Sequence, residues 1–340
     1  MSDVSVVSRA WLDKAPWLDA SRQQVRDALA GDKLAHALLI HGQSGVGKAA
    51  LAEWITQLVL CDQPGEEPCG VCQSCRFYLA DTHPDIQRVG IPEGKKQIPV
   101  DDVREMITSL RLMSGRRGRK VAIIDPADAM NANGANALLK TLEEPPAGTL
   151  LILTVARLER LPPTVASRCS RVSVKTPSRA DALTWLAQVD STVDWNGPLA
   201  LASGAPVAAM RLVSNGGALI TEQMAELPAM LRRPDTDVIA LAERSQAHFP
   251  AERLRWLEHW LCERIRRGLG IAVSDHNLAS QPLPAEARKK HIQALYGLLD
   301  QTRLAQSALR GSANVTLLFE TLYFTLAREL EWLLAQQPRS

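Results

Sequence analysis

At 340 residues the chain is too long for one ordinary hydrophobic core, which predicts two or three domains. Its 46% hydrophobic and 22% charged residues are ordinary for a globular protein. Lys plus Arg number 39 against 37 Asp plus Glu, which excludes a protein that coats DNA by charge alone and leaves room for a local basic patch. No run approaches the roughly 18 apolar residues a membrane span needs. The opening ten residues lack a long apolar stretch behind a basic head, so the expectation is a cytoplasmic protein with neither secretion signal nor membrane anchor.

From about Ala20 to Val174 short apolar runs alternate with helical periodicity. Leu38–Ile40, Val121–Ile124, Leu150–Leu153 and Arg171–Val174 read as strands. Leu51–Leu60 reads as a helix. So does the segment opened by Pro99-Val100-Asp101, with Val100, Val103, Ile107 and Leu110 on one face. Ala135–Glu143 is a third, ended by Pro145-Pro146. Strands separated by helices predict an α/β fold with a parallel sheet covered on both faces. After Pro177 the strand signals stop and amphipathic helix takes over. Leu254, Leu257, Leu261 and Ile265 share one face, as do Leu318, Leu322 and Leu326, with Leu333 near the same stripe. Boundaries are expected near Pro177 and near Asn215-Gly-Gly217, giving segments 1–176, 177–215 and 216–340.

The loop after the first strand, His41-Gly42-Gln-Ser-Gly45-Val-Gly47-Lys48-Ala49, has the Walker A pattern in the required strand–loop–helix setting. Glycines let backbone N–H groups curl around phosphates, the helix N-terminus adds positive potential, and the lysine reaches the outer phosphates. Gly42, Gly45, Gly47 and Lys48 are therefore candidate nucleotide ligands. Ala49 stands where a Ser or Thr hydroxyl would hold Mg²⁺, so ATP binding is possible while metal placement suffers. Val121–Asp125 reads as Walker B, an apolar strand ending in a carboxylate suited to the metal. Pro126 follows and carries no base to activate water. Asp128 lies close by in sequence.

Four of the six cysteines fall in one short segment, Cys61-x7-Cys69-x2-Cys72-x2-Cys75. Four soft sulfur ligands, the last three at two-residue gaps, suit tetrahedral Zn²⁺, and four protein ligands leave no catalytic position open. The segment from about 61 to 85 reads as a structural zinc insert, with His83 an alternative ligand or simply a turn histidine.

Leu138-Leu-Lys-Thr-Leu-Glu-Glu-Pro-Pro146, followed by Ser167-Arg168-Cys169, resembles the clamp-loader subunits of the AAA+ family, as does the four-cysteine insert. The resemblance is densest from Ala37 to Arg171. It implies a RecA-like AAA+ core, a helical lid and a helical collar, in a five-subunit ring that opens a sliding clamp and places it on primed DNA. It also implies that Arg168 projects into the nucleotide site of the adjacent subunit. The gamma/tau motor subunits of that family keep Thr after the P-loop lysine, an acidic box after the Walker B Asp, and an arginine in a Gly-Ser-x-Arg segment of the lid. This chain has Ala49, Pro126 and, in Gly204-Ala-Pro-Val207, a valine. Val155 falls where a sensor threonine tends to lie, with Thr154 adjacent. The combination resembles a non-hydrolysing subunit of that clamp-loader family, a resemblance that implies delta and gamma/tau as partners.

The rival readings are an active gamma/tau-like motor, a small nucleotide kinase, and a zinc-dependent nucleic-acid binder. The last would use Lys95-Lys96 and Arg116-Arg117-Gly-Arg119-Lys120, although no aromatics interleave there. For Arg168 the plain alternative is a surface pair with a carboxylate such as Glu159. Trp256 and Trp260 are expected to pack within the C-terminal helices, Cys262 to be a buried thiol, and His259 and His291 to lie at the surface.

Overall fold

The computed structural model describes residues 15–63, 65–112, 119–214, 217–233, 235–270, 285–309 and 314–335. The chain divides into two compact units. One runs to Trp195 and includes Gly204–Arg211; the other comprises Asn196–Ser203 and everything from Leu212 on.

The first unit contains α1 (Asp19–Ala30), β1 (Ala37–His41), α2 (Lys48–Leu60), α3 (Gln73–Leu79), β2 (Ile86–Gly90), α4 (Val100–Leu110), β3 (Lys120–Asp125), α5 (Ala132–Glu143), β4 (Thr149–Val155), α6 (Pro163–Ala166), β5 (Ser170–Ser173) and α7 (Arg179–Val189). All five strands are parallel, in the order β2-β3-β4-β1-β5. Helices on both faces bury the central strands: every residue of β4, Thr149 and Thr154 included, and all but His41 of β1, is buried. One side of the sheet presents Leu39, Ile124, Leu151 and Leu153 to Met106 and Leu110 of α4, Leu138 and Leu142 of α5, and Val165 of α6. This is the α/β P-loop core expected from the sequence.

Local differences have local causes. α4 buries Val103, Met106, Ile107 and Leu110, while Val100 in its first turn is only half-buried. α5 begins at Ala132, ahead of the expected Ala135, because the Asn131 side chain caps it by accepting the Gly134 N–H at 2.8 Å. β2 is a fifth strand that the apolar pattern does not announce. It lies at the sheet edge and buries only Ile86 and Val89, so it lacks the continuous apolar run of its neighbours.

The second unit is helical in its described residues: α8 (Asn196–Leu201), the end of α9 (Pro206–Ser214), α10 (Gly217–Met230), α11 (Val238–Ala247), α12 (Pro250–Gly268), α13 (Ala285–Ala308) and α14 (Val315–Ala335). Leu254, Leu257, Leu261 and Ile265 form one buried face of α12, as their spacing predicts. On α14 Leu322 and Leu326 are buried with Phe319, Tyr323 and Leu330; Leu318 is half-buried and the Leu333 side chain lies outside the described residues. Trp256 is buried and stacks with half-buried Trp260, and Cys262 is half-buried. His291 is not at the surface. It falls on the α13 stripe with Ala287, Leu295 and Leu298 and is buried with them. No described helix is long and apolar enough to cross a membrane.

Candidate nucleotide loop, cysteine cluster and rim arginine

Parallel strands put all their C-terminal ends at one edge of the sheet, where open α/β folds hold ligands. β1 ends there in the loop Gly42–Gly47, and β3 ends there in Asp125. β4 lies between them in the strand order.

The glycines answer to geometry. Gly42 has φ +154°, and a Cβ there would sit 2.3 Å from the Val174 carbonyl oxygen. Gly45 has φ +79°, and its Cβ would fall 2.4 Å from Cβ of Ala208. Gly47, at φ +99°, leads into Lys48, the first residue of α2. Lys48 is buried and its Nζ donates to the Gln43 carbonyl at 2.8 Å. Burial holds its pKa below the usual lysine value, against the pull of Asp125 and Asp128. Ala49 is buried and offers no oxygen.

Other parts of the same unit hold the loop from outside. The Val207 and Ala208 N–H groups, at the start of α9, donate to the Gly45 carbonyl at 3.0 and 3.3 Å. Trp17 Nε1 donates to the Val46 carbonyl at 2.8 Å, and Thr176 Oγ1 to the Gln43 side chain at 3.0 Å. These bonds engage the carbonyls of Gly45 and Val46 and the Gln43 side chain, and so fix the loop's shape from outside.

At Asp125 the partner is Thr154, the neighbour of Val155, which the sequence puts at the sensor position. Thr154 is buried and its hydroxyl donates to Asp125 Oδ1, whereas Val155 is packed into the core. Burial raises the Asp125 pKa; the Thr154 hydrogen bond and Lys48 work against that rise. Asp128 points Oδ2 at the Arg157 N–H, 3.2 Å away.

The four cysteines converge. Their sulfurs all lie within 4.8 Å of one another, with Cys61–Cys72 at 3.9 Å and Cys69–Cys75 at 4.0 Å. Ligands on a tetrahedral ion with metal–sulfur bonds of ~2.3 Å lie ~3.8 Å apart, so the set fits one metal ion. Backbone N–H groups of Asp62, Cys69, Cys72 and Cys75 aim at sulfurs at 3.3–3.4 Å, which favours thiolate. Hydrogen bonds from the Val71 and Cys72 N–H groups pull Cys69 down to about 6, while burial pushes Cys61 up and Cys75 up to about 12. His83 is not part of this group: its Nε2 meets Ser74 Oγ at 2.9 Å, and its Nδ1 accepts the Asp85 N–H at 3.2 Å. The insert is tied to the core through Glu67, which pairs with Arg26 of α1 and accepts Trp54 Nε1 of α2 at 2.7 Å.

Arg168 lies between α6 and β5, two residues before a strand begins. It is therefore at the edge opposite the P-loop. Its Nη1 donates to the Thr164 carbonyl at 2.8 Å and its Nη2 to Glu143 Oε1 at 2.6 Å. The carboxylate partner is Glu143, not Glu159: α5 ends beside the start of β5, which brings the Leu-Glu-Glu-Pro-Pro motif to the Ser-Arg-Cys turn. Sequence reasoning missed Thr154 and Glu143 as site residues. The adjacency of Thr154 to the expected sensor position was the one available signal. Of the basic stretch, Arg116 and Arg117 lie outside the described residues, and Lys120 is buried with Nζ donating to the Ser109 carbonyl at 2.8 Å.

A parallel five-stranded sheet, a glycine loop opening α2 and a strand-end aspartate define a P-loop core of the AAA+ type, here with the metal hydroxyl and the water-activating base replaced. The family described as DNA polymerase III, delta subunit, matches residues 18–178. DNA polymerase III subunit delta' of Pseudomonas aeruginosa is 34% identical over 327 residues, covering 91% of this chain and 96% of that one. The Escherichia coli K12 subunit delta' is 34% identical over 261 residues, 76% of this chain and 78% of its own length. Subunit tau of the same organism is 30% identical over 175 residues, half of this chain and 27% of tau. Among solved structures, a DNA polymerase III gamma subunit-related protein from Thermotoga maritima aligns over 91% of this chain and 99% of its own, with 17% identity and a TM-score of 0.49. The chain belongs to the DNA polymerase III subunit delta' family.

Proposed function

We propose that the chain is the non-hydrolysing, delta-prime-type subunit of a DNA polymerase III clamp loader, which supplies Arg168 in trans to the nucleotide site of a neighbouring ATPase subunit. One observation carries this reading. The chain's own loop lacks the hydrolytic groups, at Ala49 and Pro126, while its exposed-edge guanidinium stands at the opposite end of the sheet. Even the four residues of β5 span about 13 Å, a separation from its own loop that supports a role for Arg168 outside its own subunit. Charge that builds on the outer phosphate oxygens as the terminal phosphate leaves is stabilised by a planar fork of N–H donors.

On this reading the partners are delta and gamma/tau subunits in a hetero-pentameric ring, and through the assembly the sliding clamp and primed DNA, in the cytoplasm. Residues 1–176 form the AAA+ core, 177–215 the lid and 216–340 the collar. The cysteine cluster holds one structural Zn²⁺ through Cys61, Cys69, Cys72 and Cys75. ATP still binds weakly at Gly42, Gly45, Gly47, Lys48 and Asp125, because the glycine loop and its lysine are kept.

Two measurements test the proposal together. Tagged chain recovered from its own cell extract should bring gamma/tau and delta subunits with it. The purified chain alone should turn over ATP at background while the reconstituted assembly hydrolyses it. Recovery of neither partner, or robust turnover by the chain alone, would remove the reading in favour of a motor subunit or a kinase.

A further inference from the structure

The Arg168 side chain does not hang free at the rim. Two acceptors from two different elements hold its two terminal nitrogens: the Thr164 carbonyl of α6 at 2.8 Å and the Glu143 carboxylate at the end of α5 at 2.6 Å. A guanidinium carries five N–H donors, so two such bonds fix its plane and leave three donors for an incoming phosphate. Both anchors sit on rigid parts of the core. α5 is capped at its start by Asn131 and buried through Leu138 and Leu142, and α6 is pinned by Val165. The end of α5 is also where a helix dipole favours a cation, so Arg168 is drawn to that spot as well as bonded there.

We infer that Glu143 is a positioning residue for the trans arginine: it sets the orientation in which Arg168 meets the neighbouring subunit's nucleotide. The inference rests on the reading of Arg168 as a finger delivered in trans. An unanchored arginine at a surface spreads over many rotamers, and a group delivered across a subunit boundary has to arrive in one of them. Glu143 fixes that rotamer before assembly. Its bond is to Arg168, so its influence falls on the rate of the chemical step and not on ATP affinity.

The test uses the reconstituted assembly with four versions of this chain: Arg168→Ala, Glu143→Ala, Glu143→Gln and the double variant Glu143→Ala/Arg168→Ala. Glu143→Ala should lower the Arg168-dependent part of kcat by about fivefold, the scale of one half-exposed charge-assisted contact, with KM for ATP unchanged. Glu143→Gln keeps a side-chain oxygen as acceptor and should stay within about twofold of wild type. The double variant should be no slower than Arg168→Ala alone, because a positioning residue has nothing to act on once the arginine is gone. Assembly size by gel filtration confirms that each version is incorporated. If Arg168→Ala slows the assembly while Glu143→Ala runs at or above the wild-type rate, the positioning role is wrong and the finger reading stands. Additive loss in the double variant also overturns it, assigning Glu143 to general structure. If Arg168→Ala itself has no effect, the finger reading fails and the role of Glu143 with it.

Discussion

Glu143 and Arg168 stand twenty-five residues apart in sequence and 2.6 Å apart in space, the last residue of one helix bonded to the turn that leads into the edge strand. The pair is half-exposed and accordingly contributes under about 1 kcal/mol to stability. Removing it should therefore leave the fold and the assembly intact, which makes Arg168 open to a clean test. Arg168→Ala should slow ATP hydrolysis by the assembly and impair clamp loading. On the proposed trans role, the loss at the neighbouring site that Arg168 serves should approach the 10³–10⁵-fold range seen when an arginine is withheld from phosphoryl transfer. The total rate should fall only in part, because other sites keep their own arginines. Arg168→Lys should rescue little: one ammonium cannot hold Thr164 and Glu143 and also present a fork to phosphate. Wild-type hydrolysis and loading by an intact assembly carrying Arg168→Ala would reduce the residue to a surface ion pair.

The P-loop makes a second prediction. The Lys48 ammonium is already bonded to the Gln43 carbonyl, and two hydrolytic positions are changed together, at Ala49 and Pro126. Restoring one hydrolytic group should not restart such a site. Ala49→Thr should leave ATP turnover by the isolated chain at background, since Pro126 still provides no base next to Asp125. A phosphate-release assay decides it. Turnover well above background in wild type, abolished by Lys48→Ala, would place the chain with the motor subunits.

Metal removal should be felt first at Trp54. Its Nε1 donates to Glu67, a residue between Cys61 and Cys69, and Arg26 lies over the ring at 5.3 Å while pairing with the same glutamate. Structural zinc contributes roughly 10–16 kcal/mol in small isolated modules, so the cysteine segment should loosen once the ion is stripped. The parallel sheet, built without any of those cysteines, should hold. Metal analysis should give one zinc per chain, and chelation should change tryptophan emission in the wild type but much less in Trp54→Phe, with far-ultraviolet dichroism largely retained. Protein isolated without metal and with four readily alkylated thiols would contradict the zinc assignment.

What the sequence made legible was what lies close together along the chain. The glycine loop, the cysteine spacing and the apolar strand ending in Asp125 each state their chemistry within a few residues. Pairings set by the sheet were a different matter. Thr154 meets Asp125 only because β4 lies beside β3 in a register that pairs Leu153 with Ile124. Glu143 meets Arg168 only because α5 and α6 pack on one face of the sheet. Neither separation is fixed by a motif. β2 was missed because an edge strand needs few apolar residues, and its Gln87 and Arg88 interrupt the run. His291 was placed at the surface because a lone polar residue on an amphipathic helix usually faces water. Here it stands four residues from Ala287 and four from Leu295, on the buried stripe.

That placement gives His291 a measurable pH signature. The ring stacks on Trp332 with centroids 6.5 Å apart and planes at 21°. Burial, and secondarily the charge of Arg264, hold the imidazole down to about 4 from its usual 6.5. The folded chain therefore keeps His291 neutral where the unfolded chain takes up a proton. Between about 6.5 and about 4 the unfolded state binds more protons, so stability falls as the pH drops through that window; above it this residue adds no pH dependence. The full effect is of order 3 kcal/mol, reached below the lower value. The carboxylates common to wild type and variant cancel when the two are compared. Urea unfolding followed by tryptophan emission should show wild type losing more stability than His291→Gln between pH about 7 and about 5. Because the variant loses the ring packed against Trp332, its own midpoint at neutral pH should be lowered, and it is the difference in pH slope that reports the ring. Identical slopes in the two proteins would mean that His291 titrates as an exposed histidine and is not held neutral by the core of the helical unit.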